Sequence, residues 1–500
     1  MAQIPLTPDR LRTAVTPDGH PPDIARRLAA SASSTRPASP AHGPASGSKV
    51  APGSFRAWFE EQERAYKYVT TRVDFASLGG WGFDPDTGNL GHVSGKFFTV
   101  EGMRVYRDDG PVTSWTQPII VQPEIGVLGI LMKEFDGVLY CLMQAKMEPG
   151  NVGPLQLSPT VQATRSNYTG VHRGRPVPYL EYFVEPGRGV ALADVLQSEQ
   201  GTWFLRKRNR NVVVLTQEDV PLHDGFRWLT LGQLNRLLHV PNLVNMDART
   251  VLASLPIVTD DELPVRPHRG GVFEEALRRS MAPANGALHS MPEVLSWLTA
   301  ARARRELRQL RIPLAETAAD GWRITPDAIR REDGRYFSVV AVDVRAGNRE
   351  VAAWGQPLLA PSATGFAGLL TARFGGVLHA LFQARAESGT LNVAELAPTV
   401  MYHPEEPDGE LPPHRMPFLD LLVSAPRERR RFDVLLSEEG GRFDQAVTRY
   451  VVVDVDREAV PALPPDYCWL AVHQAAQLLR HSANVNVQAR TLLACLATLW

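Results

Sequence analysis

The chain contains two copies of one domain, and this duplication limits its fold more than any other feature. The string Q-A-K-M-E at Gln144 returns as Q-A-R-A-E at Gln383, 239 positions later. Further pairs keep that spacing: Trp58 with Trp297, Phe98 with Phe337, Pro159 with Pro398 and Pro178 with Pro417. Near the end of each copy the spacing widens by two, so that N-M-D-A-R-T-V-L-A at Asn245 matches N-V-Q-A-R-T-L-L-A at Asn486. Because chance does not hold a register over this length, the sequence predicts two tandem domains of about 200 residues each.

Composition and turn residues give the domain boundaries. Residues 1–52 are rich in Pro, Ala, Ser and Arg and lack the apolar core of a signal peptide, so we predict a disordered tail. We assign residues 53–256 to the first domain and residues 293–500 to the second. Residues 257–292, which include Gly270-Gly271, form the predicted linker, and the charged segment Val272–Ser280 within it is a candidate helix.

The overall composition excludes several classes of protein. Hydrophobic residues make up 44% of the chain and charged residues 21%, which is typical of a globular protein with a core. The net charge of −1 gives no basic field for nucleic acid, and no apolar run is long enough to span a bilayer. The three cysteines lack metal-ligand spacing, and their small odd number suits a reducing compartment. We therefore expect a cytoplasmic protein that binds neither nucleic acid nor membrane.

Both copies alternate strands with short helices, which is typical of an α+β fold. Apolar residues at helical spacing predict an amphipathic helix from Ser54 to about Tyr68, with Trp58 in the core. We predict a meander of three strands at Ile119–Gln122, Ile125–Glu134 and Val138–Ala145. Further predicted elements are a strand at Pro178–Phe183, a short helix at Ala193–Glu199, a helix at Leu229–Leu238 with Thr230 as its N-cap, and a helix at Asp247–Leu255.

A polar stretch from Gln144 to Tyr168 follows the apolar strand at Val138, and strand ends are common places for a site. Alternation along the strand would place Gln144, Lys146 and Glu148 on one face. That face would carry an amide, an amine and a carboxylate, and it is a candidate pocket floor. The alternative is a solvated polar hairpin, since loops are usually polar.

Differences between the copies favour a site in the first copy. Its polar residues are replaced in the second: Asn151 by Thr390, Gln162 by Met401, Arg165 by Pro404, Asn167 by Glu406 and Tyr168 by Pro407. The fold therefore does not need these polar groups, and function explains them better. Glu148 persists as Glu387, so this carboxylate does not distinguish the copies and is open to a structural role.

A basic cluster in the first copy, W-F-L-R-K-R-N-R-N from Trp203 onward, is also lost in the second. Three of its cations are replaced there: Arg206 by Gln445, Lys207 by Ala446 and Arg208 by Val447. Four cations beside Trp203 and Tyr168 would suit an anion next to a stacking surface, as in a nucleotide diphosphate. The alternative is a solvated basic hairpin.

Motifs for other chemistries are missing from the sequence. It has no Gly-rich dinucleotide fingerprint, no P-loop, no Gly-x-Ser-x-Gly elbow and no cluster with metal-ligand spacing. Redox and acyl-transfer chemistry are therefore poorly supported. A cofactor-free acid–base reaction is left open.

The repeated strings resemble the NDP-hexose 2,3-dehydratases of deoxysugar biosynthesis over roughly residues 55–500. The matching strings are Q-A-K-M-E-P-G-N, L-S-P-T-V-Q-A-T-R-S-N-Y, V-H-R-G-R-P-V-P-Y-L-E-Y, S-E-Q-G-T-W-F-L-R-K-R-N-R-N and A-R-F-G-G-V-L-H-A-L. The resemblance implies two tandem Nudix-like modules, one of them with a relic pocket, in a homodimeric enzyme. The metal-binding Nudix box is absent, so pyrophosphohydrolase activity is not implied. The second copy departs from the family at Ser388 and at Met401-Tyr402-His403, which argues against a catalytic role there.

The resemblance also implies a reaction. Water is removed across carbons 2 and 3 of a dTDP-4-keto-6-deoxyhexose, which gives a 3,4-diketo-2,6-dideoxy sugar. No cofactor and no metal are required, and an NADPH-dependent 3-ketoreductase is the expected partner that traps the labile product. The alternative is a non-catalytic scaffold that binds sugar nucleotides.

Candidate site residues come from the matched strings. We expect Lys146, Glu148 and Tyr168 to be catalytic: Lys146 donates to the oxygen on carbon 4, and Glu148 or Tyr168 takes the carbon 3 proton or protonates the leaving hydroxyl. We expect the following residues to bind the substrate or its nucleotide: Gln144, Asn151, Thr164, Arg165, Asn167, His172, Arg175, Trp203, Arg206 and Arg208.

Overall fold

A computed structural model describes residues 23–35, 54–108, 110, 112–153, 155–164, 176–256, 271–347, 351–402 and 416–499. These residues form a duplicated α+β fold, as the repeat predicted. We call the chain up to Leu255 the first module and the chain from Val272 the second module. The helices are α1 (Ile24–Ser33), α2 (Phe55–Ala65), α3 (Glu181–Val184), α4 (Leu231–Leu237), α5 (Met246–Ala253), α6 (Val272–Ser280), α7 (Met291–Ala303), α8 (Leu419–Val423), α9 (Val472–Leu479) and α10 (Val487–Leu496).

The strands of the first module are β1 (Tyr68–Val73), β2 (Trp81–Phe83), β3 (Leu90–His92), β4 (Thr99–Arg107), β5 (Ser114–Val121), β6 (Gly126–Phe135), β7 (Val138–Lys146), β8 (Gln156–Ser158), β9 (Val161–Ala163), β10 (Val190–Ser198), β11 (Arg208–Thr216) and β12 (Phe226–Thr230). Those of the second are β13 (Leu307–Ile312), β14 (Trp322–Ile324), β15 (Ala328–Arg331), β16 (Phe337–Ala346), β17 (Ala353–Pro361), β18 (Gly365–Phe374), β19 (Val377–Arg385), β20 (Glu395–Ala397), β21 (Val400–Tyr402), β22 (Arg430–Ser437), β23 (Val447–Asp454) and β24 (Tyr467–Ala471).

Each module has a seven-stranded main sheet with the same topology. In the first, the order is β10-β11-β6-β7-β12, with β8 added to β7 and β9 added to β6. In the second, β22-β23-β18-β19-β24 repeats this order, with β20 on β19 and β21 on β18. The central pairs β6–β11 and β18–β23 are parallel, and the other pairs are antiparallel. Apolar side chains on both faces of each sheet form the main cores.

The two modules exchange their first strands. Strand β1 of the first module pairs with β16 of the second, with Tyr68 opposite Ala346. Strand β13 of the second module pairs with β4 of the first, with Leu307 opposite Arg107. Tyr68 and Leu307 lie 239 positions apart, so they are the same position of the repeat. The exchange interlocks the modules, because each five-stranded small sheet contains backbone from both.

Helix pairing across the module boundary follows the same symmetry. Arg249 on α5 donates through Nη2 to the Ser437 carbonyl at 2.7 Å, and Arg490 on α10 donates to the Ser198 carbonyl at 2.6 Å. Both guanidinium groups are fully buried. A buried arginine needs such acceptors, which explains why A-R-T recurs in both copies.

Several predicted elements are confirmed. Helix α2 begins after Ser54, whose Oγ accepts from the Ala57 N–H, and it buries Trp58 and Phe59. Helix α4 has Thr230 as its N-cap in a full capping box. The predicted helix in the linker is also present, as α6.

The prediction of a disordered tail is wrong for residues 24–33, which form α1. Ser31 on α1 donates to the Leu139 carbonyl at 2.6 Å and accepts from the Leu231 N–H at 3.0 Å. Ser280 on α6 makes the equivalent bonds, to the carbonyl of Leu378 and from the N–H of Val472. Helices α1 and α6 are therefore copies that lie outside the sequence register. The Pro- and Ser-rich composition around α1 concealed one short amphipathic helix with a buried Leu28.

Three other predictions of secondary structure are wrong. The predicted helix at Ala193–Glu199 is strand β10 up to Ser198, because the ladder with β11 overrides the helix propensity of Ala, Leu and Gln. The segment Pro178–Phe183 enters the single turn α3 instead of a strand. Strand β5 pairs with β4 in a small sheet, so only β6 and β7 form the predicted hairpin. Within the described ranges, no helix is long and apolar enough to cross a membrane.

The main sheet splits at the end of β7, and a threonine holds the split open. Strand β6 pairs with β7 at one end and with β9 at the other, while β7 turns away to pair with β8. Thr160 Oγ1 donates to the Leu142 carbonyl at 2.5 Å and accepts from the Leu131 N–H at 2.8 Å. Thr399 makes the same two bonds in the second module. The P-T-V string that both copies share is thus structural, and it opens the place where Lys146 and Glu148 emerge.

Candidate active site

A cavity of about 700 Å³ lies beside the end of β7, where the first module faces strands β16 and β17 and a loop of the second. Its polar wall comes from the first module and includes Lys146, Glu148, Gln162, Thr164, Asn209 and Asp247. Its aromatic wall includes Trp81, His92, Phe97, Phe98 and Trp354. The second module closes it with Glu439, Gly440, Gly441 and Arg442. The volume suits a ligand of the size of a sugar nucleotide.

Lys146 and Glu148 meet at the cavity as a buried ion pair. Lys146 Nζ lies 3.4 Å from Glu148 Oε1 and donates to the Gln162 carbonyl at 3.2 Å. Both side chains are less than a tenth exposed. Glu148 Oε2 is buried and has no hydrogen-bond partner among the described residues. A buried carboxylate oxygen without a partner is costly, so it is a candidate for contact with a ligand.

Gln162 fixes the orientation of the Glu148 carboxylate. Its Nε2 donates to Glu148 Oε1 at 2.9 Å. Its Oε1 accepts from Asn245 Nδ2 at 3.1 Å and from Ser158 Oγ at 2.9 Å, which fixes the amide. The second module has Met401 in place of Gln162, and Asn486 there donates directly to Glu387 Oε1 at 2.8 Å.

Asp247 is a cavity residue that the sequence analysis missed. It stands in the first turn of α5, is 2% exposed, and its Oδ1 has no partner in the described part of the chain. Burial and the carboxyl groups of Glu439, Glu199 and Glu148 raise the pKa of Asp247 well above its ordinary value, against the charge of Lys146. Comparison of the two copies could have identified Asp247, because the second copy has Gln488 at the equivalent position.

The second module supplies one wall through the loop at residues 438–445. The Gly441 N–H donates to the Pro149 carbonyl, and the Gln445 N–H to the Gly150 carbonyl, both at 2.8 Å. A Cβ on Gly440 would stand 2.9 Å from the Cβ of Glu148, so only glycine allows this approach. The sequence does not predict this contribution, because it does not show how the two modules pack together.

Arg442 brings a cation to the cavity from the second module. Its guanidinium lies over the Phe98 ring, 4.5 Å from the centroid, and Nε donates to Gln122 Oε1 at 3.0 Å. Its equivalent in the first module is Trp203, which is 2% exposed and packs on Phe443 at a centroid distance of 4.2 Å. The predicted stacking role of Trp203 is therefore wrong, because this ring is part of the core between the modules.

The predicted basic cluster does not converge on Lys146. Arg206 is exposed, donates to Gln309 Oε1 at 2.9 Å, and its N–H bonds to the Gly389 carbonyl of the second module. Arg208 alternates with Asn209 along β11 and so projects from the face opposite the cavity-lining Asn209. The reason is the reciprocal exchange of loops: this segment covers the second module, as residues 438–445 cover the first.

Two half-buried tryptophans anchor the aromatic wall. Trp81 donates through Nε1 to the Gly355 carbonyl at 2.9 Å, and its ring centroid lies 5.1 Å from that of Phe98. Trp354 donates through Nε1 to Gln356 Oε1 at 2.8 Å. Because these bonds fix the rings, the wall offers a rigid apolar surface to a flat ligand group.

The other predicted binding residues have mixed positions. Gln144 lies in the β7–β12 ladder opposite Phe226 and is not part of the cavity lining. Asn151 is buried beside Gly440 and lines a second cavity of about 390 Å³ behind Glu148. Thr164 lines the main cavity. Five predicted residues lie outside the described ranges: Arg165, Asn167, Tyr168, His172 and Arg175. Within those ranges, no group of three or more His, Cys, Asp or Glu residues is arranged to hold a metal ion.

Comparisons with known proteins match both modules. The family model described as NDP-hexose 2,3-dehydratase matches residues 53–255 and again residues 291–496. A dTDP-4-dehydro-6-deoxy-alpha-D-glucopyranose 2,3-dehydratase of Saccharopolyspora spinosa is 48% identical over 450 residues, which cover 89% of this chain and 91% of the relative. A protein of the same name from Amycolatopsis orientalis is 46% identical over 489 residues, 97% of this chain and 96% of the relative. A third, from Streptomyces violaceoruber, is 47% identical over 449 residues, with 89% and 97% covered.

Proposed function

The chain belongs to the NDP-hexose 2,3-dehydratase family, and we propose that it removes water from its substrate in the cavity beside Lys146 and Glu148. The substrate is dTDP-4-keto-6-deoxy-D-glucose, and the hydroxyl on carbon 2 leaves together with the hydrogen on carbon 3. One observation carries the location: Glu148 Oε2 is buried, faces no partner among the described residues and stands beside an ammonium group.

The substrate's ketone makes this elimination possible without a cofactor. Carbon 3 is acidic because its electrons can move to the oxygen on carbon 4 as an enolate. A base takes that proton, the enolate expels the carbon 2 hydroxyl, and an acid supplies the proton with which the hydroxyl leaves as water. The remaining enol becomes the 3,4-diketo sugar by moving one proton from oxygen 3 to carbon 2.

Lys146 and Glu148 fit two of these roles. The Lys146 ammonium would donate to the oxygen on carbon 4 and stabilise the charge that develops there. Glu148, with Oε1 held by Lys146 and Gln162, would take the carbon 3 proton on its open Oε2. Tyr168 remains a candidate acid or base outside the described residues.

The aromatic wall supports a position for the nucleotide. A thymine ring would pack against Trp81 and Trp354, which places the sugar toward Lys146 at the polar wall. Arg442 and Lys146 are both cations of the described cavity lining. With Lys146 placed at the sugar, Arg442 would face the diphosphate.

The wider setting of the reaction is also part of the proposal. We place the enzyme in a homodimer of Nudix-like modules, in the biosynthesis of a deoxysugar for an antibiotic or related product. The labile diketone requires an NADPH-dependent 3-ketoreductase to trap it. The three cysteines are buried and unpaired, which supports a reducing cytoplasm.

A coupled assay tests the function. Purified protein is incubated with dTDP-4-keto-6-deoxy-D-glucose, NADPH and an active 3-ketoreductase, and consumption of NADPH and a dTDP-2,6-dideoxy product are expected. The non-catalytic scaffold is not favoured, because the homologues are dehydratases. Binding of dTDP with unchanged substrate and a working reductase control would favour it instead.

A further inference from the structure

The cavity contains carboxyl groups that Lys146 and Glu148 do not account for. Asp247 of the first module and Glu439 of the second both line it. One oxygen of each, Asp247 Oδ1 and Glu439 Oε2, is buried without a hydrogen-bond partner in the described ranges. The Asp247 side chain is 2% exposed, so this oxygen is withdrawn from bulk solvent. Two such groups in one cavity indicate an unfilled polar site.

The second module shows that the fold does not require these carboxyl groups. The repeat pairs Asp247 with Gln488 and Glu439 with Gln200. Both equivalents are glutamines, buried at 1% and 2% exposure, so an amide fits each position. At these two positions of the repeat, therefore, carboxyl groups stand beside the large cavity and amides stand in the other copy.

The surrounding charges favour protons on the pair. Glu439 faces Glu199, Glu148, Asp247, Lys207 and Arg442. Burial and Glu199 raise the pKa of Glu439 to about 8, against the charges of Arg442 and Lys207. Burial and Glu439 are the first two causes that raise the pKa of Asp247. Because the pKa values of both groups are raised, the two carboxyl groups titrate together and hold a proton at neutral pH.

We propose that Asp247 of the first module and Glu439 of the second form one acid pair, which gives the proton to the hydroxyl leaving carbon 2. The inference rests on the proposed function and completes it. Glu148 takes the carbon 3 proton, the bond from carbon 2 to its oxygen breaks, and the pair's proton leaves in the water formed. The pair is then short of one proton and Glu148 holds one more, so one proton passes from Glu148 to the pair before the next turnover. The second module is thus a working part of the active site.

The test uses full-length wild type, Glu439→Gln and Asp247→Asn in the coupled assay. Each variant is expected to lose about 100-fold or more in kcat, the usual size of a lost acid, while dTDP affinity stays within about threefold. The alkaline limb of the kcat profile is expected to move to lower pH in Glu439→Gln, because Asp247 then loses the carboxyl group that, after burial, does most to raise its pKa.

Glu395→Gln is the matched control. Glu395 is also a buried carboxyl of the second module whose pKa is raised to about 8, but it does not line the cavity. Its equivalent is Gln156, so the amide fits. The control is expected to keep kcat within about threefold of the wild type, with an unmoved alkaline limb.

The outcomes separate the proposals. A Glu439→Gln protein with kcat within about threefold of the wild type overturns the acid pair, as does a fall in kcat with an unmoved alkaline limb. If Glu439→Gln does not fold, Glu439→Asp decides the question: a displaced limb supports the pair and an unmoved limb overturns it. If the wild type itself leaves the substrate unchanged, the proposed function fails, and the acid pair fails with it.

Discussion

The N–H of Gly201 donates to Glu387 Oε2 at 2.9 Å, whereas the equivalent oxygen of Glu148 has no hydrogen-bond partner among the described residues. Asn486 Nδ2 donates to the other oxygen, Glu387 Oε1, at 2.8 Å. The same carboxylate therefore stabilises the contact between the modules in one copy and remains open in the other. This difference answers a question that the sequence left open, since Glu148 and Glu387 are identical in type and register.

Glu148→Gln is expected to impair catalysis, whereas Glu387→Gln is expected to impair stability. Glu148→Gln should lower kcat of the folded protein by about 100-fold or more, because it removes the proposed base and leaves the buried Lys146 ammonium without its carboxylate. Glu387→Gln should cost about 1–3 kcal/mol of unfolding free energy, because its amide group cannot accept from both donors. Thermal unfolding and kcat per folded molecule measure both effects. Equal losses of kcat in the two folded variants would contradict this assignment.

Gly440→Ala is expected to damage the site through the second module. The added Cβ would overlap Asn151 Oδ1 and stand 2.9 Å from the Glu148 Cβ, so Asn151 must move together with the loop or Glu148. A displacement of this order misaligns the base, and we expect kcat/KM to fall by about 10-fold or more. Gly82→Ala is the control, because no atom lies within 4 Å of the Cβ position there. Unchanged kcat/KM in Gly440→Ala would mean that the loop does not position the site.

Glu395 is expected to make stability depend on pH. Its pKa is raised to about 8 in the fold, mainly by burial, against about 4.3 in an unfolded chain. The folded state therefore binds more protons between these values, and the stabilising contribution of Glu395 is lost as the pH rises from about 4.3 to about 8. The loss is at most about 1.4 kcal/mol per pH unit for one group.

Glu395→Gln removes this dependence, because the amide does not titrate. The Tm of the variant relative to the wild type should rise between pH 5 and pH 9, while the activity stays near wild type. We expect the new glutamine to find a hydrogen-bond acceptor, because Gln156 at the equivalent position donates to Ser437 Oγ at 2.8 Å. A Tm difference that does not change with pH would contradict the raised pKa.

Much of the fold was predictable, because repeated strings and helix caps are local signals. Thr230 and the apolar period after it predicted α4, and the P-T-V string proved to hold the split in each main sheet. The strand exchange was not predictable. Strands β4 and β16 are equivalent in the repeat, so the sequence does not show which of them pairs with β1. The same reason explains the wrong role for Trp203: the sequence cannot show that its loop covers the other module.

The candidate site was predicted in part. Lys146, Glu148 and Gln162 come together because they share one strand end and one split sheet. Asp247 was missed although its replacement by Gln488 in the second copy follows the same logic that singled out Gln162. The roles of Glu439 and Arg442 could be found only from the three-dimensional structure. Both residues lie in the second module, whose own pocket residues have diverged, and yet they line the cavity of the first.

Lys146 and its equivalent Arg385 distinguish a reacting centre in the first module, as we propose, from one in the second. The measurement is kcat of Lys146→Ala and Arg385→Ala in the coupled assay, with dTDP affinity measured alongside. We predict that Lys146→Ala loses about 100-fold or more in kcat with dTDP affinity little changed, the usual size of a lost donor to a developing oxyanion. Arg385→Ala should keep kcat within about threefold. Loss of activity in Arg385→Ala with a fully active Lys146→Ala would instead place the chemistry in the second module.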